Sequence, residues 1–291
     1  MKKKIISVIV GVAGLAVAYF VVSGISHIVY NRPVDNAATE STAETTEQGT
    51  EEAKAAMTED EINEMLAGMK ATETAETETV TEEQSEVIPV KFEELQTVNP
   101  DVYAWITVPG TDIDYPILQH ASDNSYYLMH NIDGSYGYPG CIYTENLNSK
   151  DFTDNNTVIY GHNMKNGSMF AQLHKYEDPD FFDANREVLI YLPDEVLHYT
   201  IFAAHIYDDR HLLYSFDFTD PEVYQKYLDS IFSIRDMSAN IDKDITVTTD
   251  DQIITLVTCI GSQPNNRLLV QAVLTDRKPG TETARTAATT E

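Results

Sequence analysis

From about Ile88 onward the chain is written in short apolar runs separated by turn residues. Ala104–Val108, Tyr115–Leu118, Cys141–Tyr143, Thr157–Tyr160, Val188–Leu192, Leu197–His205, Ile245–Val247, Ile253–Thr258 and Leu268–Leu274 are rich in β-branched and aromatic residues. Runs of this length and composition predict strands. Pro109-Gly110 and Asp133-Gly134 supply turns between several of them. Two segments follow the helical period instead. Phe92–Leu95 predicts a short helix that ends before Asn99-Pro100. Pro221–Arg235 predicts a longer one: Asp220 precedes a proline at the first turn, and Val223, Tyr227, Leu228 and Ile231 form an apolar face. Many short strands with few helices predict a mainly β domain, either a barrel or a sandwich.

Upstream the pattern changes twice. Lys2, Lys3 and Lys4 form a basic stub (residues 1–4), after which no charged side chain occurs before Arg32. Residues 5–30 are apolar and long enough to cross a bilayer as a helix, with the basic flank inside and the remainder outside. Ala16-Val17-Ala18 has the small-x-small form of a cleavage site. The apolar run nevertheless continues through Tyr19–Val22, which favours an uncleaved signal anchor. Residues 31–87 contain no segment able to build a core: between Asp35 and Glu86 there are sixteen acidic residues and two lysines. A mostly disordered, self-repelling extracellular linker is expected there. One island, Thr58-Glu59-Asp60-Glu61 followed by Ile62, Met65, Leu66 and Met69, has a capping box and helical spacing. It reads equally as a helix docked on the domain or as a nascent helix in a spacer. The folded domain is expected over 88–277, followed by a Thr/Ala-rich tail, 278–291, with no second apolar span.

Charge excludes one class of partner. The formal charge is −28, and a phosphate backbone would be repelled, so nucleic acid is not expected. The excess of acid serves solubility, or attracts an amine-bearing acceptor. Two cysteines, Cys141 and Cys259, are too few for a disulfide framework. Cys141 reads as a small strand residue near the core. No His-x-x-x-His or Cys-x-x-Cys pair occurs, and neither a metal nor another cofactor is expected.

The candidate chemistry lies at Cys259. Its strand, Thr255-Leu256-Val257-Thr258-Cys259, is expected to end there, because Ile260–Asn266 is a dense turn signal; Arg267 opens the next apolar run. A thiol facing a guanidinium across one loop suits acyl transfer, with a nucleophile beside a cation that can bind an oxyanion. Such a cysteine is as readily a small buried residue and such an arginine a solvated one. A third residue, His162, sits at the mouth of another short strand, in Asn156-Thr157-Val158-Ile159-Tyr160-Gly161-His162-Asn163-Met164. Of the other histidines, His174 reads as a structural residue on a short helix.

Together these segments resemble the sortases, the membrane-anchored cysteine transpeptidases of Gram-positive bacteria. Asn99–Ile106, Ile113–Ile117 and Asn163–Phe170 resemble class B in particular, and the likeness runs over roughly 90–277. It implies a closed β-barrel of about eight strands, with an N-terminal helix and a helix inserted before the cysteine strand. It also implies Cys259 as nucleophile, His162 as general acid/base and Arg267 as the group that binds oxyanion and substrate. Thr258, beside the nucleophile, is expected to line the substrate. The implied partners are surface proteins bearing a C-terminal sorting signal cleaved after Thr, and a cell-wall peptide amine. The same residues would serve a pilin-polymerising sortase or a hydrolytic cysteine protease, and a catalytically silent surface protein stays open. The absence of a C-terminal span argues against the pilin class.

Overall fold

The computed structural model describes residues 59–69 and 85–282. The chain divides into two units, residues 1–52 and 53–291. The first, with the expected span at 5–30 and most of the linker, lies outside the described residues. Among the described residues no helix is long and apolar enough to cross a membrane.

In chain order the elements are α1 (Glu59–Met69), β1 (Glu86–Ile88), α2 (Phe92–Val98), β2 (Val102–Val108), β3 (Ile113–Leu118), β4 (Ile142–Thr144) and β5 (Asn156–Tyr160). After a 3-10 helix (Phe170–Glu177) come α3 (Pro179–Ala184), β6 (Glu187–Tyr191) and β7 (Glu195–Asp208). The chain then forms α4 (Leu212–Ser215), α5 (Pro221–Phe232), β8 (Asn240–Ile241), β9 (Ile253–Ile260) and β10 (Gln263–Glu282). Hydrogen-bonded neighbours run β10-β9-β5-β4-β3-β2-β6-β7, and β7 pairs back onto β10. Eight strands therefore close into a barrel, as the resemblance implied. Closure leaves no free edge among them.

Alternation along the strands sorts side chains into two layers. Ile106, Ile117, Ile159, Ile190, Leu197, Leu256 and Val270 fill the barrel. Outward-facing Val158, Phe202, Ile253, Val257, Leu269 and Val273 form a second core under α5. That helix starts where the sequence predicted. The Asp220 carboxylate accepts from the Glu222 and Val223 amides, and Pro221 occupies the first turn. Its buried face is Tyr224, Tyr227, Leu228 and Ile231. Tyr224 takes the place expected of Val223, and the helix ends three residues earlier than predicted.

Three expectations fail at the margins. Ile245–Val247 is not a strand: Val247 is buried in the outer core, but the only pairing in this region is β8 on β7. The turn expected over Ile260–Asn266 is shorter, since β9 runs to Ile260 and β10 already starts at Gln263. The tail expected from Lys278 is partly strand. β10 continues to Glu282, paired with β7 and in parallel with β1. Ile88 is fully buried and packs on Gly280, while Lys278 meets Glu86 at 2.5 Å. The helix near Ile62 exists and docks: Leu66 is buried, and with Asn63 it lines a pocket shared with Tyr115, Ile132, Cys141 and Met169.

Candidate active site

β5, β9 and β10 lie side by side, and their alternation decides which residues share the outer face. On β9, Ile254, Leu256 and Ile260 belong to the barrel interior, while Ile253 and Val257 face outward under α5. Cys259 is the next residue on the outer face, free and half-buried. Arg267 precedes outward-facing Leu269 by two and stands directly opposite Cys259 in register. Directly opposed residues of an antiparallel pair place their Cβ atoms about 4.5–5.5 Å apart on one face. A register shift between Gln263 and Arg267 re-aims the strand just before it. β5 runs parallel to β9, and the last rung is Tyr160 opposite Val257. Cys259 follows two residues later on β9, and His162 lies two residues past the end of β5, where the chain has left the sheet.

His162 is 8% exposed, with Nε2 at 2.7 Å from the Leu128 carbonyl oxygen and the Tyr138 ring edge-on at 5.1 Å. A carbonyl only accepts, so Nε2 carries the proton of the neutral ring and Nδ1 keeps the lone pair. Burial pushes the imidazole below its ordinary value, with the Leu128 carbonyl partly opposing the effect. The ring is therefore neutral at pH 7.

Arg267 is held by its own loop: Nη1 donates to the Pro264 and Asn266 carbonyls, each at 2.9 Å. The Nε and Nη2 donors are not spent there, which leaves part of the fork for a ligand.

Thr258 does not line this face. Alternation turns it to the opposite side of β9 from Cys259, where it is buried, and its hydroxyl donates to the Gly161 carbonyl at 2.9 Å. It ties β9 to the chain that follows β5, beneath the site. Cys141 is buried as expected. Its Sγ lies 3.4 Å from the His130 carbonyl, and burial, followed by the charge of Asp133, pushes its thiol up. A thiol so placed is unreactive.

Two further side chains reach the candidate nucleophile. Asn163 Nδ2 donates to the Cys259 carbonyl at 2.9 Å, and His174 Nε2 lies 3.1 Å from that oxygen and 3.0 Å from Asn163 Nδ2. Asn163 could have been suspected from its place next to His162. Nothing in the sequence pointed His174 at Cys259; its short helix is present as expected, but its outward tip is the site. Among the described residues no group of three or more His, Cys, Asp or Glu side chains could hold a metal ion.

With this geometry established, comparison with known proteins is informative. A model of the sortase domain matches residues 106–275. The chain is 35% identical over 188 residues to sortase B of Listeria monocytogenes, spanning 63% of this chain and 74% of that protein. It resembles the crystal structure of Clostridium perfringens sortase B, with a TM-score of 0.57 at 33% identity over 64% of this chain and all of that one. It also resembles a Bacillus anthracis sortase B solved in complex with AAEK2, with a TM-score of 0.60 at 30% identity over 77% of this chain and all of that one. A closed barrel with this strand order, the match of the sortase domain over residues 106–275 and the likeness to sortase B proteins lead to one assignment: the chain belongs to the sortase family of transpeptidases, in class B.

Proposed function

We propose that this sortase cleaves the C-terminal sorting signal of exported surface proteins after a threonine and transfers the protein to a cell-wall peptide amine. The observation that supports the reading is Arg267 standing opposite Cys259 in register, with His162 two residues past the end of the neighbouring strand β5. Cys259 Sγ attacks the threonine carbonyl carbon, and its thiol proton passes to the open Nδ1 of His162. Arg267 donates to the tetrahedral oxyanion, whose charge in a partly desolvated site makes fixed donors effective. Collapse breaks the C–N bond, and His162 returns the proton to the departing amine, leaving a thioester on Cys259. An incoming amine, deprotonated by the same nitrogen, forms the new amide and releases the thiol. The acidic balance of the chain favours approach of a cationic amine. Residues 5–30 are proposed as the single-pass anchor, with residues 1–4 cytoplasmic, 31–58 and 70–84 as tether, and the catalytic domain outside.

The test uses the full chain in detergent micelles with a pool of peptides carrying Thr at the scissile position, with and without triglycine. A Cys259 thioester seen by mass spectrometry, and an amide product only when triglycine is present, are expected. Hydrolysis that ignores triglycine would favour a cysteine protease. No adduct on any residue would leave only a silent surface protein.

A further inference from the structure

Strand carbonyls alternate in direction, so those of Val257 and Cys259 point to the same side of β9, the side of β5. Val257 finds its partner there, since the Gly161 N–H donates to its carbonyl at 3.1 Å. At Gly161 the chain leaves the sheet, and two residues further along β9 the carbonyl of the nucleophile has no strand beside it. Backbone acceptors in partly buried places need donors. Here side chains replace the missing strand: Asn163 Nδ2 bonds the Cys259 carbonyl at 2.9 Å, and His174 Nε2 closes the group at 3.0 Å from Asn163 and 3.1 Å from the carbonyl. The Asn163 amide has two N–H groups, one for the carbonyl and one for His174. His174 Nε2 lies within hydrogen-bonding distance of both the carbonyl and the amide, and its Nδ1 faces Glu177 Oε1 at 3.3 Å.

We infer that Asn163 and His174 form a clamp that positions the nucleophile: Asn163 fixes the peptide plane of Cys259, and His174 fixes the amide of Asn163. The clamp also sets the distance between nucleophile and base. Asn163 follows His162 in the chain, and the His162 carbonyl accepts from the Phe170 N–H at 2.9 Å, at the start of the 3-10 helix that carries His174. One loop, 162–174, thus holds the base at one end and grips the nucleophile's backbone with two side chains. Neither residue touches substrate; both act through Cys259. His174 is the informative half, because its side chain is 24% exposed and can be replaced without opening the core.

The inference rests on Cys259 being the nucleophile, and the test separates the two. Full-length wild type, His174→Leu, His174→Gln and Asn163→Ala are compared in single turnovers with the Thr-containing peptide pool. Mass spectrometry follows the Cys259 adduct, and peptide concentration is varied to separate kcat from KM. Leucine fills the space but accepts nothing; glutamine can accept from Asn163. His174→Leu is expected to lower the rate of thioester formation roughly ten- to hundredfold with KM changed less than about threefold, the scale expected for a misplaced reacting group. His174→Gln should recover most of the loss. Combining His174→Leu with Asn163→Ala should cost little more than Asn163→Ala alone, since both act on one carbonyl. Wild-type rates in His174→Leu, a glutamine variant as slow as leucine, or a loss carried by KM would each overturn the clamp. If wild type itself forms no Cys259 adduct, the reading of the site falls instead.

Discussion

Gly161 stands between the last rung of β5 and the candidate base, and the space for its side chain is already occupied. A methyl group there would lie 2.5 Å from Ile142 Cδ1 and 2.6 Å from Phe170 Cγ. Carbon atoms prefer separations of about 3.5–4.0 Å, so each neighbour must give way by roughly 1 Å. Neither can swing into solvent, because Ile142 is 1% and Phe170 0% exposed. Overpacking of this kind costs about 1–3 kcal/mol, which for a domain of this size lowers Tm by roughly 2–12 °C. The functional loss should be larger than the stability loss implies. The Phe170 N–H holds the His162 carbonyl and the Thr258 hydroxyl holds that of Gly161, so a shifted Phe170 drags the imidazole with it. A displacement of about 1 Å at a reacting group can cost on the order of a hundredfold in rate. Gly161→Ala is therefore expected to melt lower and to form the thioester at least about tenfold more slowly at a temperature where it is fully folded. Ile142→Val, which removes the Cδ1 atom, should cost about 0.5–1.5 kcal/mol alone yet partly relieve Gly161→Ala. Calorimetry and single-turnover kinetics on the four proteins of this cycle decide the matter. Strictly additive melting, or a Gly161→Ala protein with wild-type kinetics, would show that the packing argument is wrong.

Other outcomes follow from the same structure. Cys259→Ala should abolish adduct formation and turnover while Cys141→Ala keeps both, read by intact-mass spectrometry. Arg267→Lys should lower kcat/KM by about a hundredfold or more, because an ammonium cannot reproduce the planar fork; alkylation of Cys259 by iodoacetamide, which forms no oxyanion, should change far less. Burial holds both His162 and His205 below the ordinary value of 6.5, so the unfolded chain takes up protons first. Stability should be at its full value above about pH 6.5 and fall as pH drops toward the folded values, by at most about 1.4 kcal/mol per pH unit for each ring. Thermal melts between pH 7.5 and 5, above the carboxylate range, test this, and a flat profile would refute it. Deletion of residues 35–57 should leave melting unchanged, whereas Leu66→Asp should lower Tm by several degrees because a charge would replace a buried apolar contact.

The strands were legible because they alternate and their turns use Gly, Pro and Asn, while their closure into a barrel was reached through the resemblance; α5 was legible because Asp220-Pro221 marks its start without help from tertiary contacts. What local reading missed depends on distant partners. Arg277-Lys278-Pro279-Gly280 looks like a break in structure, yet β7 runs opposite and Gly280 makes room for Ile88, a residue almost two hundred positions earlier. Ile245–Val247 looks like a strand but lacks a neighbour to pair with. At the site, Cys259, His162 and Arg267 were reached through resemblance, since each alone has an ordinary structural reading. Thr258 and Cys259 are adjacent in sequence and therefore on opposite faces of β9, which a local reading does not separate. Asn163 and His174 became meaningful only once β5 was seen to end opposite Val257, two residues before the nucleophile's carbonyl needed a partner.

β10 pairs with β9, β7 and β1 and follows all three in the chain. Until it arrives, β7 and β9 are open edges and the barrel is a curved, unsealed sheet. Cys259 will already have emerged, but its cross-strand cation will not, nor the hairpin that presents it. The pairing of β10 with β9 is a local hairpin, but its pairing with β7 and β1 spans long stretches of chain, so closure is slow relative to local helix formation. A chain that stops before Arg267 carries its thiol without the cation that faces it across the hairpin. The thiol and the cation opposite it thus come together only when the barrel closes.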